Sequence, residues 1–348
     1  MTDPDRRDVD VDRAIGDRRE LVNDAIATQL PVTEPERLYE ASRYLLDAGG
    51  KRLRPTMLLL VAEAVTGVDA LAEDYRAFPD CADGEIDVMS AAVSIEVIQS
   101  FTLIHDDIMD DDDLRRGVPA VHQEFDLETA ILAGDTLYSK AFEYMLETGA
   151  PPERSVRALD RLATTCTEIC EGQAFDVEFE GRAEIDSDEY LEMVELKTAV
   201  LYAAAAAIPA VLLGAEEGVV DSLAGYGLDV GRAFQIQDDL LDLTTPSERL
   251  GKQRGSDLVE GKRTLVTLHA REQGIDVGSL LPDDVDEVTE AQVDEAVATL
   301  HDAGSIDFAR ETAQDLVASG KANLDPLPDG EPKALLAAIA DYLVERDY

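Results

Sequence analysis

Along most of the chain Ala, Leu, Glu and Arg recur at helical spacing. Nowhere do Val, Ile, Thr and aromatic residues alternate with polar ones in the short repeated segments that strands need. The pattern predicts a protein that is nearly all α. Breaks fall at Leu30–Pro35, Gly49–Pro55, Phe78–Gly84, Gly117–Pro119, Gly149–Pro152, Thr244–Gly261 and Leu280–Asp286, with long helices between them. No Ser/Gly linker marks a boundary, so residues 1–348 are expected to form a single domain, of which 1–20 is a loosely ordered polar start. The longest apolar run, Ala199 to Ala215, carries Tyr202 and Pro209 and is shorter than the ~18–20 residues that span a bilayer. It reads as a buried, kinked helix. The charged N-terminus has no apolar signal core, so a cytoplasmic protein without stable membrane insertion is expected.

Composition adds two constraints. With 45% hydrophobic residues there is material for a substantial core. Acidic residues number 75 against 30 basic, a formal charge of −45 spread along the whole chain, which disfavours nucleic acid and anionic membrane surfaces as partners. So much acid fits a halophilic, salt-filled cytoplasm, where repulsion is screened within ~3 Å at 1 M. Only seven of the basic residues are lysine, at positions 51, 140, 197, 252, 262, 321 and 333. Where lysine is scarce on the surface, those that remain need a reason, and Lys51, Lys197, Lys252 and Lys262 lie in or beside the motifs below. Three cysteines make no disulfide scaffold. Cys166 and Cys170, four residues apart with no nearby His, read as buried free thiols.

One local pattern occurs twice. Asp-Asp-x-x-Asp closes an apolar helical stretch at Asp106, Asp107 and Asp110, and again at Asp238, Asp239 and Asp242. On a helix the first and last of each set project together and the middle one flanks them. Three carboxylates at the end of a buried helix repel one another by several kcal/mol at an effective dielectric of ~20 unless cations compensate. Carboxylate oxygen suits magnesium, which binds through one or two carboxylates plus phosphate oxygens and water. In so acidic a chain a run such as Asp111, Asp112 and Asp113 is usually a solvated face. Each cluster, however, is followed by basic residues: Arg115 and Arg116 after the first, Lys252 and Lys262 after the second. Cations beside carboxylates point to a polyanion bridged through metal, with Arg as a fork for phosphate and Lys as a point charge. A third basic element, Gly49-Gly50-Lys51-Arg52-Leu53-Arg54-Pro55, is a glycine turn entering a helix. Its amides, Lys51 and Arg54 could hold a second diphosphate, or it could simply start a helix.

GGKRLRP, LIHDDIMDDDDLRRG, GQAFDVEF, ELKTA and FQIQDDLLDL…GKQRGSDLVEGKRT stand in the order and spacing of the trans-isoprenyl diphosphate synthases, and over about residues 35–270 the chain resembles that family. The resemblance implies an all-α isoprenoid synthase helical bundle around a deep apolar pocket, with the two clusters facing each other at its mouth, in a homodimer. It implies Mg²⁺, about three ions per site, coordinated by Asp106, Asp110 and Asp238, with Asp107, Asp239 and Asp242 supporting through water. Arg115, Lys197 and Lys252 would grip an allylic diphosphate, with Lys262 nearby. Lys51, Arg54, Arg116 and Gln99 would hold isopentenyl diphosphate. Gln173 and Asp176 would line the mouth, and Thr198, Gln235 and the Lys197 carbonyl would face the developing cation. Phe101, with Thr102 and Ile98, would set product length, and His105 and His122 read as structural.

The activity implied is condensation of isopentenyl diphosphate with an allylic diphosphate to geranylgeranyl diphosphate (C20), with C25 or C15 as alternatives. Terpene cyclases and head-to-head synthases share the aspartates but bind no isopentenyl diphosphate, and GGKRLRP and the Arg115–Arg116 pair argue against both. A catalytically silent subunit would be expected to have lost a site element.

Overall fold

A computed structural model of the chain describes residues 10–82, 84–182, 185–245, 254–282 and 288–345. Short acidic side chains set several helix starts. Asp10, Asp87 and Asp126 each accept a hydrogen bond from the backbone N–H three residues on, at 2.9, 2.8 and 2.7 Å. This satisfies a donor that a helix start otherwise leaves open. The helices they begin are α1 (Val11–Gln29), α4 (Val88–Met109) and α6 (Leu127–Leu146). Glycine in the left-handed region ends α3 (Leu53–Thr66), where Gly67 at φ 71° returns its N–H to Glu63.

The polar start expected to be loosely ordered is helical from Val11. Its face buries Ala14, Ile15, Arg18 and Val22, so charge in this stretch is compatible with docking. The only strands among the described residues are two-residue pairs: Phe78–Pro79 with Glu85–Ile86, and Leu114–Arg115 with Val118–Pro119. Both hairpins occupy positions read as breaks. Of the two thiols expected to be buried, Cys166 is buried and Cys170 is exposed, although the two stand one helical turn apart.

Backbone contacts divide the chain into two compact units. One draws on the ranges 1–166, 203–224 and 324–339. Within it α4 packs against α1, α2 (Glu36–Asp47), α3, α5 (Val121–Glu124) and α6. α3 is buried nearly all round, Met57 to Ala62 being wholly inaccessible. Inside this apolar layer Glu63 holds Arg18 of α1 at 2.6 Å, with both side chains 1% exposed. Glu63 also accepts from the Leu71 N–H at 2.9 Å and from the Tyr75 hydroxyl. A buried carboxylate is tolerated only with such a full set of donors.

The other unit draws on 167–202, 225–323 and 340–348. It contains α8 (Ser187–Val194), a π-helical turn at Glu195–Ala199, and α11 (Ser256–Val259), α12 (Leu265–Glu272), α13 (Glu290–Asp302) and α14 (Ser305–Ala322). α12 packs against α8, α13 and α14. The remaining long helices are α7 (Pro152–Gly181), α9 (Val200–Leu213, with Pro209 inside), α10 (Glu217–Thr244) and α15 (Glu331–Glu345). Among the described residues two helical stretches, Val88–Met109 and Ser187–Leu213, are long and apolar enough to cross a membrane, but both are mostly buried in the fold.

Candidate active site

The first aspartate cluster closes α4. Asp106 is half-buried, Asp107 is wholly buried, and Asp110 is exposed where the helix ends, its N–H returning to the Asp106 carbonyl at 2.9 Å. The hairpin that follows turns at Arg116 and Gly117, with φ of 54° and 78°, the left-handed pair that suits a tight two-residue turn. The turn throws two neighbouring arginines in different directions.

Arg115 folds back onto the cluster. Its Nε donates to Asp107 Oδ1 at 2.5 Å, its Nη2 donates to Asp112 Oδ2 at 2.9 Å, and it stands 4.0 Å from Asp106 Oδ2. Burial raises the Asp107 carboxyl above the ordinary carboxylate range, with Arg115 opposing. Burial pulls the Arg115 guanidinium down, but Asp107, Asp106 and Asp112 together lift it above the usual arginine value. Asp107 Oδ2 is buried with no hydrogen-bond partner.

Arg116 leans the other way, onto the glycine turn. Its Nη1 donates to the Leu45 carbonyl at 3.0 Å and to the Gly49 carbonyl. Gly50, at φ 133°, lets the guanidinium come so close that a Cβ there would stand 3.0 Å from its central carbon. Lys51 is exposed in this turn, and Arg54 lies half-buried in the first turn of α3. On α4 Gln99, Phe101 and Thr102 are half-buried and Ile98 is fully buried. The Thr102 hydroxyl donates to the Gln99 carbonyl at 2.9 Å. The Phe101 ring lies edge-on to His105, with centroids 4.9 Å apart, and 5.2 Å from Tyr138 of α6. His105 Nε2 stands 3.3 Å from the Ile131 carbonyl, within α4–α6 packing, which accords with a structural role.

In the second unit the motif Glu195–Ala199 is a π turn, a form enriched at functional sites. Lys197 on this turn donates to Asp176 Oδ2 of α7 at 2.6 Å. Two glycines admit the turn: a Cβ on Gly172 would fall 2.2 Å from the Lys197 nitrogen, and one on Gly231 would fall 2.6 Å from the Ala199 Cα. Gln173 Nε2 is buried with no hydrogen-bond partner. The Thr198 hydroxyl donates to Gln235 Oε1 at 3.1 Å, Gln235 Nε2 donates to Asp239 Oδ1 at 3.0 Å, and the buried Tyr190 hydroxyl donates to the other Asp239 oxygen. Burial, then the Asp257 charge, pushes the Asp239 carboxyl up to about 8, against the pull of Tyr190 and Gln235. Asp242 accepts from the Ser256 hydroxyl at 2.9 Å and the Asp257 N–H at 3.1 Å, tying α10 to the start of α11. Asp238 is the half-buried member. Lys262 is exposed, 3.6 Å from Asp257 and 3.1 Å from Glu260. Lys252 lies outside the described residues.

Among the described residues no three His, Cys, Asp or Glu side chains gather into a ready metal-binding group. The donors nonetheless fit a hard divalent ion: each cluster offers carboxylate oxygen alone, and Asp107 Oδ2 is a buried acceptor without a donor.

Three participants were not singled out in the sequence. Arg52, 3% exposed, donates to Glu96 Oε1 at 2.6 Å, and Glu96 is itself 3% exposed. Tyr190 holds Asp239. The readable signal for Glu96 was a lone acid in the otherwise apolar approach to Asp106.

A family model described as polyprenyl synthetase matches residues 35–300. The geranylfarnesyl diphosphate synthase of Natronomonas pharaonis is 72% identical over 338 residues, 97% of this chain and 98% of that one. Among solved structures, the geranylgeranyl pyrophosphate synthetase of Geoglobus acetivorans superimposes with a TM-score of 0.85 at 45% identity, covering 95% of this chain and 99% of that one. A polyprenyl synthase of Caulobacter crescentus, solved with calcium and isoprenyl diphosphate, gives 0.82 at 31% identity, covering 99% and 100%. These matches make the chain a member of the polyprenyl synthetase family and an isoprenyl diphosphate synthase.

Proposed function

We propose that the protein, acting as one catalytic domain, is a short-chain prenyltransferase that joins isopentenyl diphosphate to an allylic diphosphate and releases geranylgeranyl diphosphate. The observation that carries the reading is the divergence of Arg115 and Arg116. One arginine lies on the aspartates and the other on the Gly49–Gly50 turn, so two adjacent residues serve two anion sites. Arg115 and Lys197, with Lys252, hold the allylic diphosphate, and Lys262 lies near. Lys51, Arg54, Arg116 and Gln99 hold isopentenyl diphosphate.

Asp106, Asp110 and Asp238 would hold magnesium, whose positive charge, when bound, stabilises the departing diphosphate. Asp107 is turned toward Arg115, and Asp239 and Asp242 toward protein donors, which suits a supporting role. Gln173 offers an unpartnered amide, while Gln235 is oriented by Thr198 on one side and Asp239 on the other. Apolar surroundings keep water from the allylic cation, and the positioned double bond of isopentenyl diphosphate is then the nucleophile.

A second reading, a C25 product, is favoured by the 72% identity to a geranylfarnesyl diphosphate synthase. Incubation with labelled isopentenyl diphosphate and each allylic primer in turn, followed by chromatography of the products, separates the two. A homodimer is part of the proposal. α6 carries Leu127, Ile131 and Leu132 at 48%, 40% and 56% exposure, an apolar stripe that a second copy would cover. Sedimentation at high salt tests this, and a monomer refutes it. We place the enzyme in the cytoplasm.

A further inference from the structure

Glu96 lies on α4 ten residues before Asp106, one turn before Gln99 and on the same face. It is nearly inaccessible, and among the described residues the charged groups shown against it are Arg52 of the glycine turn and Arg116, which supports that turn. Its Oε1 accepts from Arg52 Nη1 at 2.6 Å and stands 3.8 Å from Arg116 Nη2. Arg52 is spent on protein: its Nε donates to Asn23 Oδ1 at 3.0 Å and its Nη2 to the Leu46 carbonyl at 2.5 Å. Arg116 is likewise anchored to the Leu45 and Gly49 carbonyls. Both arginines have left-handed backbones, φ 53° and 54°, a conformation that an L-residue with a long side chain holds only when its surroundings enforce it. Burial lowers the Arg116 guanidinium, with Glu96 opposing and Arg52, Arg115 and Arg54 adding to the effect.

The geometry points to Glu96 as a positioning residue: one buried carboxylate that pins Arg52 and Arg116, and through them fixes the Gly49–Arg54 turn so that Lys51 and Arg54 are presented to the same diphosphate. The inference rests on the assignment of that turn to isopentenyl diphosphate. It makes a prediction of opposite sign to simple electrostatics. Removing a negative charge beside an anion site should tighten the anion, whereas releasing the two arginines should weaken it.

The test is steady-state kinetics on the full-length enzyme in high salt, varying isopentenyl diphosphate and the allylic primer separately, with a thermal melt of each variant. Glu96→Gln is expected to raise KM for isopentenyl diphosphate at least ~10-fold while the allylic KM stays within about twofold. Glu96→Asp, which keeps the charge but shortens the reach, is expected to raise the same KM several-fold. A parental or lowered KM for isopentenyl diphosphate in Glu96→Gln, with Glu96→Asp unchanged, overturns the inference. Lys51→Ala in the same assay separates this from failure of the underlying assignment, since an unchanged isopentenyl diphosphate KM there means that the turn serves another purpose. If Glu96→Gln does not fold, Asn23→Ala removes one of the partners of Arg52 and is expected to raise the KM about threefold. No change in that variant refutes the chain of contacts from Asn23 to the turn.

Discussion

Replacing Phe101 tests what sets product length. Phe101 lies five residues before Asp106, ~7.5 Å along the axis of α4 at ~1.5 Å per residue, and Ile98 is ~4.5 Å further down. If the growing tail runs down α4 from the aspartates, as the proposed function has it, the Phe101 ring would be its floor. Its loss would then drop the floor to Ile98, a fully buried side chain, adding a depth of about the reach of one extended five-carbon unit at ~1.5 Å per residue. To turn a tenfold preference for releasing C20 into a tenfold preference for extending it needs ~2.7 kcal/mol. A ring standing in the path of the tail supplies that through steric exclusion alone. The cost in stability is bounded, because the ring is half-buried and contacts His105 and Tyr138, pairs worth ~0.5–1.5 kcal/mol each. Phe101→Ala should therefore fold and lengthen the main product by at least one unit. Thr102→Phe should shorten it. The assay is labelled isopentenyl diphosphate with farnesyl diphosphate as primer and chromatography of the dephosphorylated alcohols. Parental chain length from both variants would place the floor elsewhere and remove the physical basis for C20.

Asp106→Ala and Asp238→Ala should each slow turnover at least ~100-fold, or ~2.7 kcal/mol of barrier; rates within a few-fold of the parent, in folded protein, would dismiss the metal role. Glu63→Gln leaves Arg18 buried without its counter-charge and should cost ~3–5 kcal/mol in a denaturant or thermal melt, while a parental melt would show that the pair does not hold α1. Asp126 has its carboxyl lowered to about 2, first by the hydrogen bond from Arg37 and then by those from Thr129. Its contribution is therefore complete above the unfolded value near ~3.9 and lost as pH falls through about 2. Asp126→Asn should flatten the stability profile across that window, and an unchanged profile rejects the assignment. With a net charge of −45, folding should require molar salt; circular dichroism melts across potassium chloride concentrations test this, and full stability at ~0.05 M refutes it.

Helices and aspartate clusters were legible because helical period and spacing are local properties. Asp106, Asp107 and Asp110 could be placed on one helix end without knowing what surrounds them. The few lysines stand in different surroundings. Lys197 pairs with Asp176 at 2.6 Å within the ELKTA motif, while Lys321 and Lys333, outside any motif, form ion pairs with Asp341 and Asp329 at 2.7 and 3.0 Å. What could not be read depends on partners distant in sequence. Arginine is ordinarily a surface residue, so nothing local marks Arg18 as buried until Glu63 is found opposite it. The same holds for Arg52 and Glu96, and for Tyr190, whose hydroxyl gains meaning only from Asp239. The π turn at ELKTA was equally hidden, because one additional residue per turn leaves no compositional trace.

That turn makes position 172 unlike its neighbours. Because a Cβ there would stand 2.2 Å from the Lys197 nitrogen and 2.7 Å from the Leu196 carbonyl carbon, α7 and the turn meet backbone to backbone with room for a hydrogen atom and nothing larger. Contacts of this kind cannot be relieved by a rotamer change, since the atoms facing position 172 are backbone atoms of Leu196 and Lys197. The separation that lets Lys197 reach Asp176 is thus encoded one turn away by a missing methyl group, and a methyl group added there would disturb the site although position 172 carries no charge and no hydrogen-bonding side chain of its own.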